Sequence, residues 1–504
     1  MQTIGSYVTF EMLRDALSRE LTAPPKLLPP NPIGDALGAH LDEIAEWTLS
    51  RVGGDWAPSF EQVVAVAKGQ HGVRPVAIWD LPSRLAYSAV VEGMSSLIPM
   101  PERSAAAWTA FLEHPLTKDC EYIVTADIAS CYQLIDHSEL EQELLMQTGQ
   151  NGSIKAMLRL IREASGRTYG IPQQSAASDV IAEAFLARLE RSVIRKGVDC
   201  SRYNDDFRIA CKDWSSTIHA IETLSEQARG MGLQLNDSKV LTFKKRTYER
   251  QLTRASELRE EIATAASVDL TELYIDYDGD IEEVEPAKLD VELLSAVRLL
   301  ERWKRVAGRG HVAERNRQEH VALVRLLPLA LRALQSASAD AENALDIALQ
   351  LLRFEQTLTP QACTFLATRT DSGAVLTALD GFLAKTPYLT GWQTWWLAQA
   401  VAGLPGFAAG TDRPARRRRE WLQHAHAQAI DNQALRAHTA LALARCQLIR
   451  EADLLSLYDR SGDVARPTVV AAIAAVKPSA ATRKAITEDS KLHSWIYDWA
   501  ASNA

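Results

Sequence analysis

The sequence predicts an α+β protein in which a mixed core of strands and helices is followed by an all-α array. Three observations predict it. Between about residues 120 and 245, short runs with a period of two alternate with turns and amphipathic helices. From about residue 290 onward, helical periodicity recurs with only short breaks. The chain also has 504 residues, 47% of them apolar, which is enough for two or three hydrophobic cores.

In chain order, residues 1–55 read as helices interrupted by Pro24-Pro25 and Pro29-Pro30-Asn31-Pro32, an extended crossing that no helix continues through. Residues 56–250 form the mixed domain. Tyr122 to Ile128 reads as a strand that delivers Asp127 to its end, and Asp136 with Glu139 gives a capping-box start to a helix through Leu145. Ser178 opens a helix whose Ile181, Phe185, Leu189 and Val193 share one face. Phe207, Ile209 and Cys211 then alternate with Arg208, Ala210 and Lys212 after the turn Asn204-Asp205-Asp206. Residues 251–289, with Asp276, Asp278, Asp280, Glu282 and Glu283, read as an acidic linker. Residues 290–504 read as a helical repeat of irregular, HEAT-like kind, since each amphipathic hairpin needs a neighbour to cover its apolar stripe.

The net charge is −9, and neither half of the chain is basic. Any nucleic acid must therefore be held in a locally basic groove. The six cysteines, at 120, 131, 200, 211, 363 and 446, form no C-x-x-C pair, so reduced thiols in a cytoplasmic protein are expected. No export signal is visible, and the Trp-rich stretch Thr386 to Thr411 is interrupted by Gln393, Gln399, Gly403, Pro405 and Gly406. It suits a buried helix better than a membrane span, and no membrane partner is expected.

Nucleotide transfer to a hydroxyl requires neutralising the triphosphate and lowering the pKa of the attacking oxygen, which two divalent ions do together. Mg²⁺ is hard and keeps several waters, so a few carboxylates converging on one point suffice. Asp127 at a strand end and Asp205-Asp206 at a neighbouring hairpin turn are placed for this. An Asp-Asp turn alone is ordinary turn chemistry. The ordered set of segments around it decides the matter.

Tyr203-Asn204-Asp205-Asp206 resembles the Y-x-D-D motif of reverse transcriptases, and Thr125 to Tyr132 resembles their first catalytic strand. Gly170-Ile171-Pro172-Gln173 resembles their G-x-P-Q segment, with Ser178 at the position that opens the next helix, and Gly232 to Lys239 resembles the hairpin that brings a lysine to the leaving pyrophosphate. Arg74-Pro75 and Leu81-Pro82-Ser83-Arg84 resemble the fingers segment that meets the triphosphate, and Pro101 to Ala107 resembles the segment before the first catalytic strand. The resemblance covers about residues 60 to 245 and implies a fingers-palm core. It implies Asp127, Asp205 and Asp206 as catalytic metal ligands with Ile128 beside them. It further implies two Mg²⁺ ions, Mn²⁺ as a substitute, and nucleotide contacts from Arg74, Arg84, Tyr132, Gln173 and Lys239. Tyr132, five residues after Asp127, holds the position that blocks a ribose 2′-hydroxyl, so dNTPs are the expected substrates.

Two departures qualify the resemblance: Gln174 stands where glycine is usual, and a helical array follows in place of a conventional thumb or RNase H domain. With no retron-type V-T-G signature, the sequence resembles the bacterial abortive-infection and unknown-group reverse transcriptases, which join this core to C-terminal helical repeats. That resemblance implies anti-phage defence, a homo-oligomer, and DNA made either on a noncoding RNA template or without a template from a protein tyrosine, as a single-stranded product. Tyr7 is the candidate primer. Arg416 to Arg419 is a candidate nucleic-acid contact that charge alone assigns more readily to a solvated loop, and Trp392, Trp395 and Trp396 read as core. Asp276-x-Asp278-Gly279-Asp280 is rejected as a calcium loop because its glycine is misplaced. An RNA-dependent RNA polymerase and a catalytically silent scaffold remain the alternatives.

Overall fold

The computed structural model describes residues 3–68, 72–265, 273–275, 281–283, 293–307, 312, 317–335, 341–369 and 372–503. Helix α1 (Phe10–Thr22) starts where the Thr9 hydroxyl accepts from the Met12 amide, and it buries Leu13, Ala16 and Leu17. Helices α2 (Gly34–Ala39) and α3 (Leu41–Gly53) follow. Strands β1 (Gln62–Lys68) and β2 (Gly72–Ile78) pair as an antiparallel hairpin in which Lys68 lies opposite Gly72. Asp80 caps α4 (Leu81–Glu92), whose Pro82 sits in the first turn, where its missing N–H costs nothing.

After α5 (Ala105–Glu113) come β3 (Tyr122–Asp127), α6 (Cys131–Leu134), α7 (His137–Thr148), α8 (Asn151–Ser165) and α9 (Ala176–Arg195). Strands β4 (Asp199–Tyr203) and β5 (Asp206–Cys211), α10 (Trp214–Gly230) and β6 (Leu241–Lys244) complete this part. The four strands form one antiparallel sheet in the order β4-β5-β3-β6. Phe207, Ile209, Phe185, Leu189 and Leu224, all buried, belong to the core that α9 and α10 close over it. Two expected details differ. The Asp136 cap exists, yet the Glu139 side chain turns to Arg188 at 2.9 Å instead of closing a capping box. Helix α9 starts two residues before Ser178, whose hydroxyl is buried 3.0 Å from the Tyr87 hydroxyl.

Helix α11 (Lys245–Ala265) follows β6 directly, so the first part of the expected acidic linker is helical. Within the rest of that segment, β7 (Leu273–Ile275) and β8 (Ile281–Glu283) pair antiparallel. Asp276, Asp278, Gly279 and Asp280 lie outside the described residues. The array then comprises α12 (Leu293–Ala307), α13 (Arg317–Ala333), α14 (Ala341–Phe354), α15 (Thr359–Ala367), α16 (Ser372–Lys385) and α17 (Gly391–Ala402). It continues with α18 (Arg413–Gln428), α19 (Gln433–Arg445), α20 (Glu451–Arg460), α21 (Arg466–Ala475), α22 (Ala480–Asp489) and α23 (Lys491–Ser502). Odd-numbered helices from α13 to α23 stack successively on one another, while α14, α16 and α18 stack in a second layer. This is the two-layer solenoid that amphipathic hairpins build.

The array does not trail behind the mixed domain; it folds back onto it. Val64, Val66 and Val76 of the β1-β2 hairpin share a core with Leu300, Leu352, Trp392 and Leu435. Leu441, Val469, Ile473 and Ile496 share the other core with α1, α3 and the sheet. Arg51 pairs with Asp463 at 2.6 Å, and Asn432 donates to the Val63 carbonyl at 3.1 Å. The proline crossing is pinned as well: the indoles of Trp392 and Trp396 donate to the Leu27 carbonyl at 2.5 and 3.2 Å, and Gln399 donates to the Pro30 carbonyl. The tryptophans at 392, 395 and 396 are core, all under a tenth exposed.

The Arg416 to Arg419 run lies in α18 and not in a loop. Arg418 is buried against Asp380 at 2.8 Å, Arg417 donates to the Asp380 carbonyl, and Arg419 donates to the carbonyls of Ala408 and Gly410. Three of the four guanidiniums thus tie α18 to α16 and to the loop that precedes α18. No helix among the described residues is long and apolar enough to cross a membrane, and all six cysteines are free thiols.

Candidate active site

Register brings the predicted carboxylates together. Asp127, the last residue of β3, lies opposite Asp206, the first of β5, and the Ile128 amide donates to the Asp205 carbonyl at 3.0 Å. The turn between β4 and β5 needs a left-handed residue, and Asn204 supplies it at φ 52°. Asp127 and Asp206 are both nearly buried, at 4% and 7% exposed. The Asp127 carboxylate accepts from Lys239 Nζ at 2.8 Å and from Asn236 Nδ2 at 3.1 Å. Arg208, stacked over the Phe111 ring, stands 3.8 Å from Asp206.

Electrostatics confirms the crowding. Burial, and then the charges of Asp127 and Asp206, push the Asp205 carboxyl up to about 7, with Lys68 pulling the other way. Burial works against the Lys239 charge, but its hydrogen bond to Asp127 and the fields of all three aspartates raise its pKa. Among the described residues no set of three His, Cys, Asp or Glu already stands as a finished metal-ligand cluster. The Asp127 oxygens face Lys239 and Asn236. The donor chemistry nevertheless fits a hard divalent cation: three neighbouring carboxylates, one of them pushed toward its neutral form by burial and then by the other two, make a site that a positive charge relieves. Ile128 has a buried side chain, so only its backbone carbonyl is available for such a role.

Next to the carboxylates, Ser130 at φ 50° turns the chain into α6 and carries Tyr132 with it. The Tyr132 hydroxyl donates to Asp179 at 2.6 Å and accepts from Arg103 at 3.1 Å. Burial first, and then the Asp179 charge, raise its pKa well above the usual phenol value. The loop carrying Gln173 is tied to this turn, with the amides of Ile171 and Gly170 donating to the carbonyls of Tyr132 and Ile135 at 2.8 Å each. His137 Nε2 stands 2.7 Å from the Gly170 carbonyl beneath the loop. Gln174 adopts φ 62°, which explains why glycine suits that position. Gln173, Gly170, Gln133, Pro75, Glu61 and Arg167 line a cavity of about 240 Å³ between this loop and the β1-β2 hairpin.

The structure therefore gathers Asp127, Asp205, Asp206 and Lys239 at one point, with Ile128 in the same turn. Tyr132 follows at the next turn, and Gln173 lines the adjoining cavity. Arg74 is half-buried on β2, opposite Val66. Two expectations are corrected. Arg84 is spent inside the fold: it makes two hydrogen bonds to Glu20, at 2.7 and 3.1 Å, and a third to the Trp79 carbonyl, tying α4 to α1. Tyr7 is packed, its ring against α8 at Gly152, where any side chain would collide with it. It is not a loose residue near a flexible end.

Sequence reasoning missed Lys68, Asn236, Arg103 and Asp179. Lys68 precedes a Gly-Gln-His-Gly stretch, a readable hairpin tip that would have set it at the strand end. Asp179 in the first turn of a helix looks like a partner for the helix dipole, which hides any other role.

Residues 66–252 match the family model of reverse transcriptase (RNA-dependent DNA polymerase). No curated protein matches the chain significantly. Among solved structures, telomerase from Candida albicans in complex with a fragment of telomeric RNA is 12% identical, over 70% of this chain and 63% of that one, with a TM-score of 0.29. Apo telomerase from Candida tropicalis is 10% identical over 65% of each chain, with a TM-score of 0.30. The chain thus spans just under two thirds of these proteins, and likeness of this size carries no argument about function.

Proposed function

We propose that the reverse-transcriptase domain at residues 66–252 is a working nucleotidyltransferase that builds DNA from dNTPs, with Asp127, Asp205 and Asp206 as its metal-binding carboxylates. One observation carries this reading: the register Asp127↔Asp206 sets three carboxylates side by side with Lys239 on the first of them. A pair of divalent ions, Mg²⁺ or Mn²⁺, held by these carboxylates and the Ile128 carbonyl would neutralise the triphosphate and activate the attacking hydroxyl. Lys239, kept protonated by the aspartates, supplies a cation for the leaving pyrophosphate. Lys68, close enough to act on Asp205, adds a second cation from the hairpin side. The Tyr132 ring excludes a 2′-hydroxyl, and Gln173 and Arg74 meet the nucleotide and its template partner.

The proposed setting is anti-phage defence in a bacterial cytoplasm, by a homo-oligomer that makes single-stranded DNA. Its support is the similarity in sequence motifs together with a helical array in place of a thumb. Copying of an associated noncoding RNA is favoured over priming from Tyr7, because that ring is packed on α8.

Purified protein with Mg²⁺ and each labelled nucleotide tests the core claim. Incorporation is expected with dNTPs and lost in Asp205→Asn and Asp206→Asn, with circular dichroism and oligomer size unchanged. Activity surviving in both variants refutes the mechanism. A wild-type protein that is folded, inert with every nucleotide, and still protective against phage would establish the scaffold instead. Denaturing extraction then separates the two modes of synthesis, by DNA that stays covalently attached or by a defined RNA that co-purifies.

A further inference from the structure

We infer that Arg103 and Asp179 form a clamp that fixes the Tyr132 ring and thereby sets how sharply the enzyme separates deoxyribonucleotides from ribonucleotides. The inference rests on the polymerase reading above. Three segments distant in sequence meet here: α6 with Tyr132, the first turn of α9 with Asp179, and the chain just before α5 with Arg103. Tyr132 Oη donates to Asp179 Oδ1 at 2.6 Å, and Arg103 Nη2 lies 3.1 Å from Tyr132 Oη and 3.0 Å from Asp179 Oδ1. The triangle is closed.

A phenol offers one proton and accepts through its oxygen, and both capacities are used. Both bonds involve an ionised partner, so they are of the stronger kind. A tyrosine held only by its Cα has several staggered positions open to it, whereas one anchored at the far end of the ring keeps a single one. The parts that hold the clamp are themselves fixed. The Ile171 amide bonds the Tyr132 carbonyl at 2.8 Å, and Ser178, beside Asp179, is bonded to Tyr87 at 3.0 Å. Sugar discrimination turns on a single oxygen atom. A ring free to swing by about an ångström would lose much of it, since displacements of that size change rates by orders of magnitude.

Had Asp179 merely braced α9, its loss would lower stability and leave the sugar preference intact. Arg103 and Asp179 are thus positioning residues whose readout is a ratio. The experiment uses the full chain with Mg²⁺ and measures kcat/KM for dATP and for ATP, together with the thermal stabilisation that each nucleotide confers. Asp179→Ala should lower the dATP-to-ATP ratio about tenfold, the order a charge-assisted hydrogen bond supports. Tyr132→Phe, which removes one oxygen and keeps the ring, should do the same, and the double variant should be no worse than either. Tyr132→Ala should lower the ratio furthest. An unchanged ratio in Asp179→Ala and Tyr132→Phe, with a lowered one in Tyr132→Ala, overturns the clamp while sparing the gate. An unchanged ratio in Tyr132→Ala overturns the gate as well. Wild-type protein that neither incorporates nor is stabilised by any nucleotide overturns the polymerase reading and this inference with it. Should Asp179→Ala fail to fold, Tyr132→Phe decides alone.

Discussion

Replacing Arg84 with alanine separates two roles for one residue, a contact to the triphosphate and a tie between helices. Its side chain is 30% exposed and that of its partner Glu20 23%, and it makes two hydrogen bonds to that carboxylate and one to the Trp79 carbonyl. Removing one partner of a fully buried pair costs roughly 3–5 kcal/mol, and a surface pair is worth at most about 1 kcal/mol. Partial exposure places this one between the two, at about 2 kcal/mol. For a cooperative unit of 150–250 residues, that corresponds to a fall in Tm of roughly 4–8 °C. Scanning calorimetry on Arg84→Ala, Glu20→Gln and the double variant reads it, and the double variant should fall short of the sum of the single losses. KM for dNTPs should stay within a factor of two or so, a change of under about 0.5 kcal/mol. A tenfold rise in KM at unchanged Tm would refute the helix tie and restore the phosphate contact.

Other perturbations test the fold around the site. Trp392→Ala empties a fully buried position and should cost about 3–5 kcal/mol, whereas Trp392→Phe should cost about 1 kcal/mol, because the Trp396 indole still satisfies the Leu27 carbonyl; denaturant titration checks both. Gln174→Gly should hold or raise stability while Gln174→Val lowers it by about 1–2 kcal/mol, since φ 62° suits only a residue without a branched side chain; Tm values decide. His438, its Nδ1 on the Ala434 carbonyl and its ring against Trp395, is lowered by burial to about 4 from 6.5. The unfolded chain therefore binds a proton that the native one refuses, and stability should fall as pH drops from 6.5 toward about 4, by up to about 1.4 kcal/mol per pH unit. Urea titrations of wild type and His438→Phe across that window should show the variant with the shallower slope.

The strands and their carboxylates were legible in the sequence, each from local rules. A period of two sets the faces of β5, and a turn of Asn and Asp joins it to β4 with Asp206 at its start; the pairing of β3 with β5 that sets Asp127 opposite Asp206 is long-range, and only the resemblance of the ordered motifs pointed to it. Long-range partners were not legible. Nothing near Arg84 in sequence names Glu20, and nothing in a run of four arginines shows that Asp380 and loop carbonyls receive three of them. The two-layer stacking of the array followed from amphipathic periodicity, but its return onto the β1-β2 hairpin did not. Val64, Val66 and Val76 read as an ordinary half-buried strand face whichever partner covers them.

That return has a consequence for synthesis on the ribosome. Arg51 waits for Asp463, 412 positions further along, and the core under α1 and α3 is completed by residues as late as Ala500. Contacts of such separation form slowly and only after the intervening chain exists. The nascent mixed domain therefore emerges with one flank of its hairpin and one flank of its first helices uncovered. A chain released within the helical array keeps those apolar flanks exposed, the state in which partly folded chains associate.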